Sequence, residues 1–516
     1  EPAQSDQDDA AVAEEAQGPR RKKVSSLRFN RSENGGIKNL TVTTPLFYAN
    51  GAPHIGSAYP TIAADVVSRY AQMSGGDVHF VTGMDEHGEK IAKTAEGKDM
   101  TPQQLVDSIA GDFQGLWDKL NIRNQHFART TQPKHREIVA EMWQRCLDSG
   151  DIYKKDYEGW YCVGCEAYLD ADEMEDDHVC KIHRKKAELR REENYFFRLS
   201  KYWEKLTQHM EDNPDFLLPQ SRASQVMVWL DKDNKRDFSI SRASTDWGIP
   251  VPGDDSQVIY VWFDALLGYL SSLLRPEDPA TLDTCLKRGW PADIHVIGKD
   301  IMRFHALYWP AMLMSAGLPL PKHIVTHGFL TKDGLKMGKS LGNVVEPVPL
   351  VENFGADAVR FFFAGCLSFG QDGDFAYESF INQVNSELAN ELGNLLQRIL
   401  TLCRKNLPEP SGPDCLYEEA ELQAHPVYRA ALAAPAEVAA AFERFDFPAA
   451  TQAALRIANV ANAHIMVVVP WKKLKSEDEQ VRGEALRELQ VMAEGVRICA
   501  VLLAPVTPSV SGKVLE

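Results

Sequence analysis

Residues 50–59 read Asn-Gly-Ala-Pro-His-Ile-Gly-Ser-Ala-Tyr. Before them, Leu40, Val42, Leu46, Phe47 and Tyr48 read as a buried strand; after them, Tyr59, Ile62, Val66 and Tyr70 recur at helical spacing. His54 and Gly56 therefore stand where a strand turns into a helix. A helix N-terminus offers unpaired N–H groups and a partial positive charge, which suit phosphate. Gly56 lets another group approach the backbone, and His54 adds a directed donor. Taken alone, the ten residues also read as a plain turn capped by histidine.

Two further clusters carry chemistry. Thr331-Lys-Asp-Gly-Leu-Lys336-Met-Gly-Lys339-Ser is a basic loop punctuated by Gly334, Gly338 and Gly342. Two ammonium groups on one loop can neutralise charge that develops on phosphates. A solvated surface loop is the ordinary alternative, and the G-x4-G-K-[ST] spacing of a P-loop is absent. Cys162-Val-Gly-Cys165 is followed by Cys180-Lys-Ile-His183. Two short pairs across a loop supply four soft or borderline ligands, the pattern of a closed tetrahedral zinc site held for folding rather than catalysis. A redox C-x2-C would need a thioredoxin-like surround, which is missing.

The elements that must position these groups follow from pattern. The 516 residues, 44% hydrophobic, suffice for several cores. No run of about 18 apolar residues suggests a membrane span. The net charge of −17 argues against a duplex-DNA binder. Six acids and no Lys or Arg fall within residues 1–19, so part of that charge belongs to a tail. Nine cysteines spread along a long chain are not a secreted disulfide framework. Residues 1–37 read as a disordered tail, the remnant expected after a targeting segment is cut. Residues 38–150 read as the first half of a Rossmann-type parallel sheet, with a second strand at 78–81 leading into Thr82-Gly-Met-Asp85-Glu-His87-Gly88. Residues 151–250 read as an insertion carrying the zinc knuckle. Residues 251–330 resume the sheet with strands at 258–261, 294–297 and 323–326. Residues 331–377 hold the lysine loop, and 378–516 read as a helical bundle.

His-Ile-Gly after the first strand and Lys-Met-Gly-Lys-Ser after the last match, in order and context, the two signatures of class I aminoacyl-tRNA synthetases. Phe47-Tyr48-Ala-Asn-Gly, Thr82-Gly-Met-Asp-Glu-His-Gly, Tyr260-Val-Trp262-Phe-Asp264-Ala265, Ile297-Gly298-Lys-Asp300 and Phe304-His305 resemble methionyl-tRNA synthetases in particular, from about residue 38 to the end. Two departures stand out: Ser57 replaces the family's usual second histidine, and Gly338 its usual serine. Both variants are similar to those of plant and algal organellar enzymes.

The resemblance implies adenylation of methionine by ATP with Mg²⁺, then transfer to the 3′ end of tRNA. It implies phosphate contacts from His54, Gly56, Lys336 and Lys339, with Ser57 as a lesser donor, and adenosine contacts from Gly298 and Asp300. It implies a methionine pocket of Leu46, Tyr48, Asp85, Trp262, Ala265, Leu266, Tyr269, Phe304 and His305, with Asp85 on the ammonium and Tyr269 and His305 giving modest sulfur selection. It implies anticodon reading by Asn394, Arg398, Pro470 and Trp471. A structural zinc, no DNA or membrane partner, a monomer and a chloroplast or mitochondrial location (otherwise cytoplasm) complete the expectation. A small-molecule nucleotidyltransferase would need neither the zinc insertion nor the bundle. A non-catalytic tRNA-binding relative should have lost His54 or the loop lysines.

Overall fold

A computed structural model of the chain describes residues 27, 29–33, 35–164, 166–169, 171–181, 184–231, 236–243, 245–337, 343–406 and 417–516. Six parallel strands form its centre. Ile37–Tyr48 lies in the middle, Asp77–Asp85 and His126–Arg129 extend the sheet on one side, and Ile294–Gly298, His323–His327 and the short Leu217–Leu218 extend it on the other. The two strands Ile294–Gly298 and His323–His327 are buried throughout, as parallel strands covered on both faces should be. The chain first builds outward from Ile37–Tyr48 in one direction, then returns to build on its other edge. Ligands bind in the crevice at the carboxyl ends of the strands where such an order reverses, and His54 follows that central strand directly.

Three parts of the sequence reading need correction. Residues 27–37 are not tail: Leu27 is buried and its N–H donates to Glu443 O (2.7 Å), and Asn30–Arg31 pairs with the central strand. The rest of the expected tail, residues 1–26, lies outside the described residues. The insertion is not wholly separate, because Leu217–Leu218 returns to become an edge strand of the central sheet. Finally, residues 258–261 do not resume that sheet. Asp254–Ile259 pairs antiparallel with Ser241–Arg242 and Pro250–Val251 in a small sheet of its own, and the parallel sheet resumes at Ile294.

Ile152–Cys162 and Glu188–Phe197 form a long antiparallel pair, and Met174–Glu175 and Val179–Cys180 form a short hairpin beyond it. Downstream, Asn394–Asn406, Pro426–Phe442, Phe447–Val468 and Glu479–Leu503 form the helical bundle. Phe447–Val468 lies within an apolar stretch, Phe447–Lys473, long enough to cross a membrane by composition alone. Its buried Ala453, Ala454, Ala458 and Ala461 instead let it pack closely inside the bundle. Glu488 ties three segments together there, accepting hydrogen bonds from Tyr417 (2.8 Å), His425 (3.0 Å) and His464 (2.7 Å).

A buried cation helps to fasten the bundle to the central sheet. Arg360, fully enclosed, pairs with Asp65 on the helix that begins after His54 (2.6 Å) and donates to the carbonyls of Pro505 (2.8 Å) and Val506 (3.0 Å). A buried pair of this kind adds little against an apolar substitute, but breaking one side costs ~3–5 kcal/mol.

Candidate active site

His54 is the N-cap of helix Ile55–Met73. Its Nδ1 accepts from the Gly56 N–H (3.0 Å). That bond leaves the ring proton of a neutral His54 on Nε2, so the imidazole is set as a donor there. A Cβ on residue 56 would come within 2.8 Å of the His54 ring, which explains the glycine. Ser57 closes the capping box: its Oγ accepts from His54 N–H (3.1 Å) and donates to His54 O (2.7 Å). In this geometry the Ser57 hydroxyl serves the turn. The side chain is buried, and its one proton is committed to the turn.

Gly298 ends its strand and is itself the N-cap of the short turn Lys299–Ile301, so Asp300 is not a cap and sits exposed in the first turn. A side chain at residue 298 would strike the Asp300 carboxylate at 2.4 Å. Lys299 is held aside by Asp372 (2.6 Å). The lysine loop leaves from a hairpin in which Leu330–Lys332 pairs with Leu335–Lys336 across a turn with Asp333 and Gly334 at φ 51° and 75°. Asp374 braces that turn, accepting from Thr331 Oγ1 (2.5 Å) and Gly334 N–H (2.8 Å). The side chain of Lys336, and Gly338 and Lys339, lie outside the described residues.

The predicted methionine residues come together. Trp262 and Phe304 stack in parallel, ring centroids 3.8 Å apart, and His305 meets Trp262 edge-on at 6.3 Å. Phe304 and His305 share a single π-helical turn, Phe304–Tyr308, a distortion frequent at functional sites. Leu46 packs over Gly268, where a Cβ would lie 2.3 Å from its Cδ1, and Ala265 and Leu266 are buried on the same short segment as Trp262. One expected role changes. His305 donates from Nδ1 to Ile301 O (3.0 Å), and its Nε2 accepts the Tyr269 hydroxyl proton (2.8 Å). Burial lowers its pKa to about 4, so it is neutral near pH 7. Neither group keeps a proton for a thioether sulfur.

Asp85 lies at the end of its strand, buried; its Oδ1 has no hydrogen-bond partner among the described residues. Burial first, then the neighbouring carboxylates Asp264 and Glu166, push its pKa well above the usual carboxylate range. An orphaned carboxylate oxygen in such a place is a seat for a cation.

Several polar residues here have no role assigned from the sequence. Glu166, next to Cys165, is buried at a left-handed φ of 51° and accepts from the Lys90 N–H (3.0 Å); its carboxylate and the Tyr48 hydroxyl both crowd Gly88. Arg242, also buried, lies over the Tyr260 ring at 4.1 Å. Asp264 accepts from both His87 and His135. The available signal was a lone charge inside an apolar run, as in Tyr260-Val-Trp-Phe-Asp264-Ala-Leu-Leu.

This arrangement matches known proteins. The family model described as tRNA synthetases class I (M) matches residues 40–176 and 165–400. A methionine–tRNA ligase of Thermosynechococcus vestitus is 46% identical over 92% of this chain and 88% of its own length. The chain belongs to the class I methionyl-tRNA synthetases. It is therefore a ligase that joins methionine to tRNA. A chloroplastic/mitochondrial methionine–tRNA ligase of Arabidopsis thaliana is 47% identical over 92% of this chain and 76% of that protein. A Mycobacterium tuberculosis methionyl-tRNA synthetase solved with methionyl-adenylate superposes with a TM-score of 0.87 at 40% identity, covering 93% of each chain. These relatives fit an organellar or bacterial origin for the synthetase.

In the bundle, Asn394 and Arg398 are one helical turn apart and exposed; Pro470 is buried and Trp471 half-buried. The helix Asn394–Asn406 and the short helix Pro470–Lys473 both pack against Glu479–Leu503, which places the four residues on elements sharing one support.

Proposed function

We propose that methionine binds with its ammonium on Asp85, beside Tyr48, and its thioether against Trp262, Phe304, Tyr269 and His305, with Leu46, Ala265 and Leu266 closing the sides. The unpartnered, buried Asp85 oxygen beneath an aromatic wall at the sheet's carboxyl edge carries this reading. ATP, taken with Mg²⁺, lies across the strand ends, with Gly298 and Asp300 toward the adenosine and His54, Gly56, Lys336 and Lys339 toward the phosphates. The methionine carboxylate attacks the α-phosphorus and pyrophosphate leaves. The protein's part is positioning and stabilisation of charge. Pyrophosphate–ATP exchange measured with each amino acid in turn should be driven by methionine alone, and equal exchange with leucine would sink the pocket assignment.

Cys162, Cys165, Cys180 and His183 would hold one zinc. Cys162 pairs with Ala167 and the Cys180 N–H donates to Lys185 O (2.9 Å), so each half-motif stands at a tight reversal of the kind a zinc knuckle uses. Cys165 and His183 lie outside the described residues. The metal supplies folding energy. Elemental analysis should give one zinc per chain, lost together with thermal stability in a Cys162→Ala, Cys180→Ala double variant; zinc retained in full by that variant would refute the site.

Trp471, with Asn394, Arg398 and Pro470, would read the anticodon by stacking and edge contacts. Trp471→Ala should cut tRNA charging while sparing adenylate formation. If both fall together, Trp471 is a packing residue. The enzyme is proposed to act as a monomer in a chloroplast or mitochondrion.

A further inference from the structure

Behind the Asp85 carboxylate stands a second one with no part in the scheme above. Asp264 is completely enclosed, yet it accepts two N–H bonds, from His87 Nδ1 and from His135 Nε2, each 2.6 Å long. His135 in turn faces Ser271 Oγ through Nδ1 (2.8 Å). The four residues come from four elements. His87 follows Asp85 by two residues; His135 is on helix Pro133–Asp148; Asp264 is on Val261–Ala265 with Trp262; and Ser271 is on Gly268–Ser271 with Tyr269. One carboxylate therefore fastens the turn that carries the ammonium seat to the two short helices that carry the aromatic wall.

The link to Asp85 is short. His87 follows Asp85 with only Glu86 between them, and the Glu86 N–H is itself held by Thr130 Oγ1 (3.0 Å), so the placing of His87 constrains the turn that carries the Asp85 carboxylate. His87 has the T-shaped neighbour Trp247 (5.5 Å), whose indole N–H donates to Glu86 O (2.6 Å), but its own Nε2 is buried without a hydrogen-bond partner among the described residues. The Asp264 bond is thus the one polar contact of the His87 ring given by those residues. Ring packing holds a side chain in a volume; this bond fixes its rotation and hence the turn.

We propose that Asp264, acting through His87, is a positioning residue for the methionine ammonium: it holds the Asp85 turn in register with the Trp262 helix. The inference rests on the methionine pocket proposed above. It differs from a plain structural role in one respect. A carboxylate that merely stabilised the core would affect every ligand of the pocket alike. One that acts through Asp85 affects only ligands bearing an ammonium group.

The test compares methionine with 2-hydroxy-4-(methylthio)butanoate, which keeps the thioether and the carboxylate but lacks the amino group. Dissociation constants for both are measured on the full-length enzyme. In Asp264→Ala and in His87→Ala, methionine binding should weaken about 10–100-fold, the cost of a misplaced charge-assisted contact. Binding of the hydroxy acid should stay within about twofold, since no ammonium bond is at stake. The double variant should lose no more than either single one, because both cut the same link. Asp264→Asn should retain most of the affinity. The amide oxygen still takes the His87 proton, and His135 and Ser271 can reverse their exchange to meet the amide N–H.

Should Asp264→Ala yield no folded protein, His87→Ala carries the same test with the Asp264–His135 bond left in place. An unchanged ratio of methionine to hydroxy-acid affinity in His87→Ala, or additive losses in the double variant, would overturn the inference. Asp85→Ala in the same assay separates the two levels. If Asp85→Ala keeps methionine affinity, the pocket reading itself fails. If it loses affinity while His87→Ala does not, only the positioning role fails.

Discussion

His54→Ala should slow methionyl-adenylate formation about 10²–10³-fold, or ~2.7–4 kcal/mol, with little change in KM for methionine. The argument starts from the turn. His54 Nδ1 accepts the Gly56 N–H, so a neutral ring carries its proton on Nε2, at a helix N-terminus. A donor that meets charge only as the α-phosphorus is attacked changes kcat rather than binding. Alanine also removes a helix cap, and a lost cap costs ~0.5–2 kcal/mol of stability. His54→Asn separates the two: asparagine caps well but is too short to replace the imidazole, so stability should return and rate should not. Ser57→Ala is the converse control. Its hydroxyl serves the capping box, so stability should fall while adenylation stays within a few-fold. The rates would be read by pre-steady-state adenylate formation. Wild-type speed in His54→Ala would reduce the residue to its cap. Lys339→Ala should slow adenylation comparably, an expectation carried by the sequence motif alone.

What could be read from the sequence follows what is local. The strand–turn–helix around His54, the turn ending at His87 and the helical bundle all announce themselves by period and by turn residues, and each stands where it was read. What could not be read is pairing at a distance. His295 lies beside Thr43, and Leu217 beside Ile324, across separations that no periodicity encodes. The apolar run 258–261 shows the ambiguity of short apolar stretches: Val258 and Ile259 end a strand of a small antiparallel sheet, and Tyr260 and Val261 open a helix. The same limit applies to the site. The family motifs supplied Asp85, Trp262 and Asp264, but the part Asp264 plays, like those of His135, Glu166 and Arg242, comes from contacts made only on folding. For Ser57 the local pattern does not say where the hydroxyl's one proton goes. Its position allowed a donor toward phosphate; the capping box uses it instead.

Asp85→Asn should produce two opposite effects in one protein. Affinity for methionine should fall by ~2–5 kcal/mol, the cost of leaving a buried charge without its partner, with KM for ATP nearly unchanged. Stability of the ligand-free enzyme should rise. Burial, Asp264 and Glu166 all disfavour charge on Asp85 and raise its pKa in the folded state. A carboxyl so raised binds its proton more tightly when folded than unfolded. Stability therefore declines as pH climbs from the ordinary carboxylate value, near 4, toward the raised one. Asparagine has no proton to lose, so its advantage should vanish below about pH 4 and grow toward neutrality. Methionine reverses the ranking. Its ammonium meets the ionised Asp85 and stabilises the wild type by mass action, whereas the asparagine variant gains little. Melting curves of both proteins, with and without methionine, at pH 4 and pH 7.5, would test all of this together. A wild type that is the more stable form without ligand at pH 7.5 would show that Asp85 is part of the scaffold, not a strained seat kept for an ammonium ion.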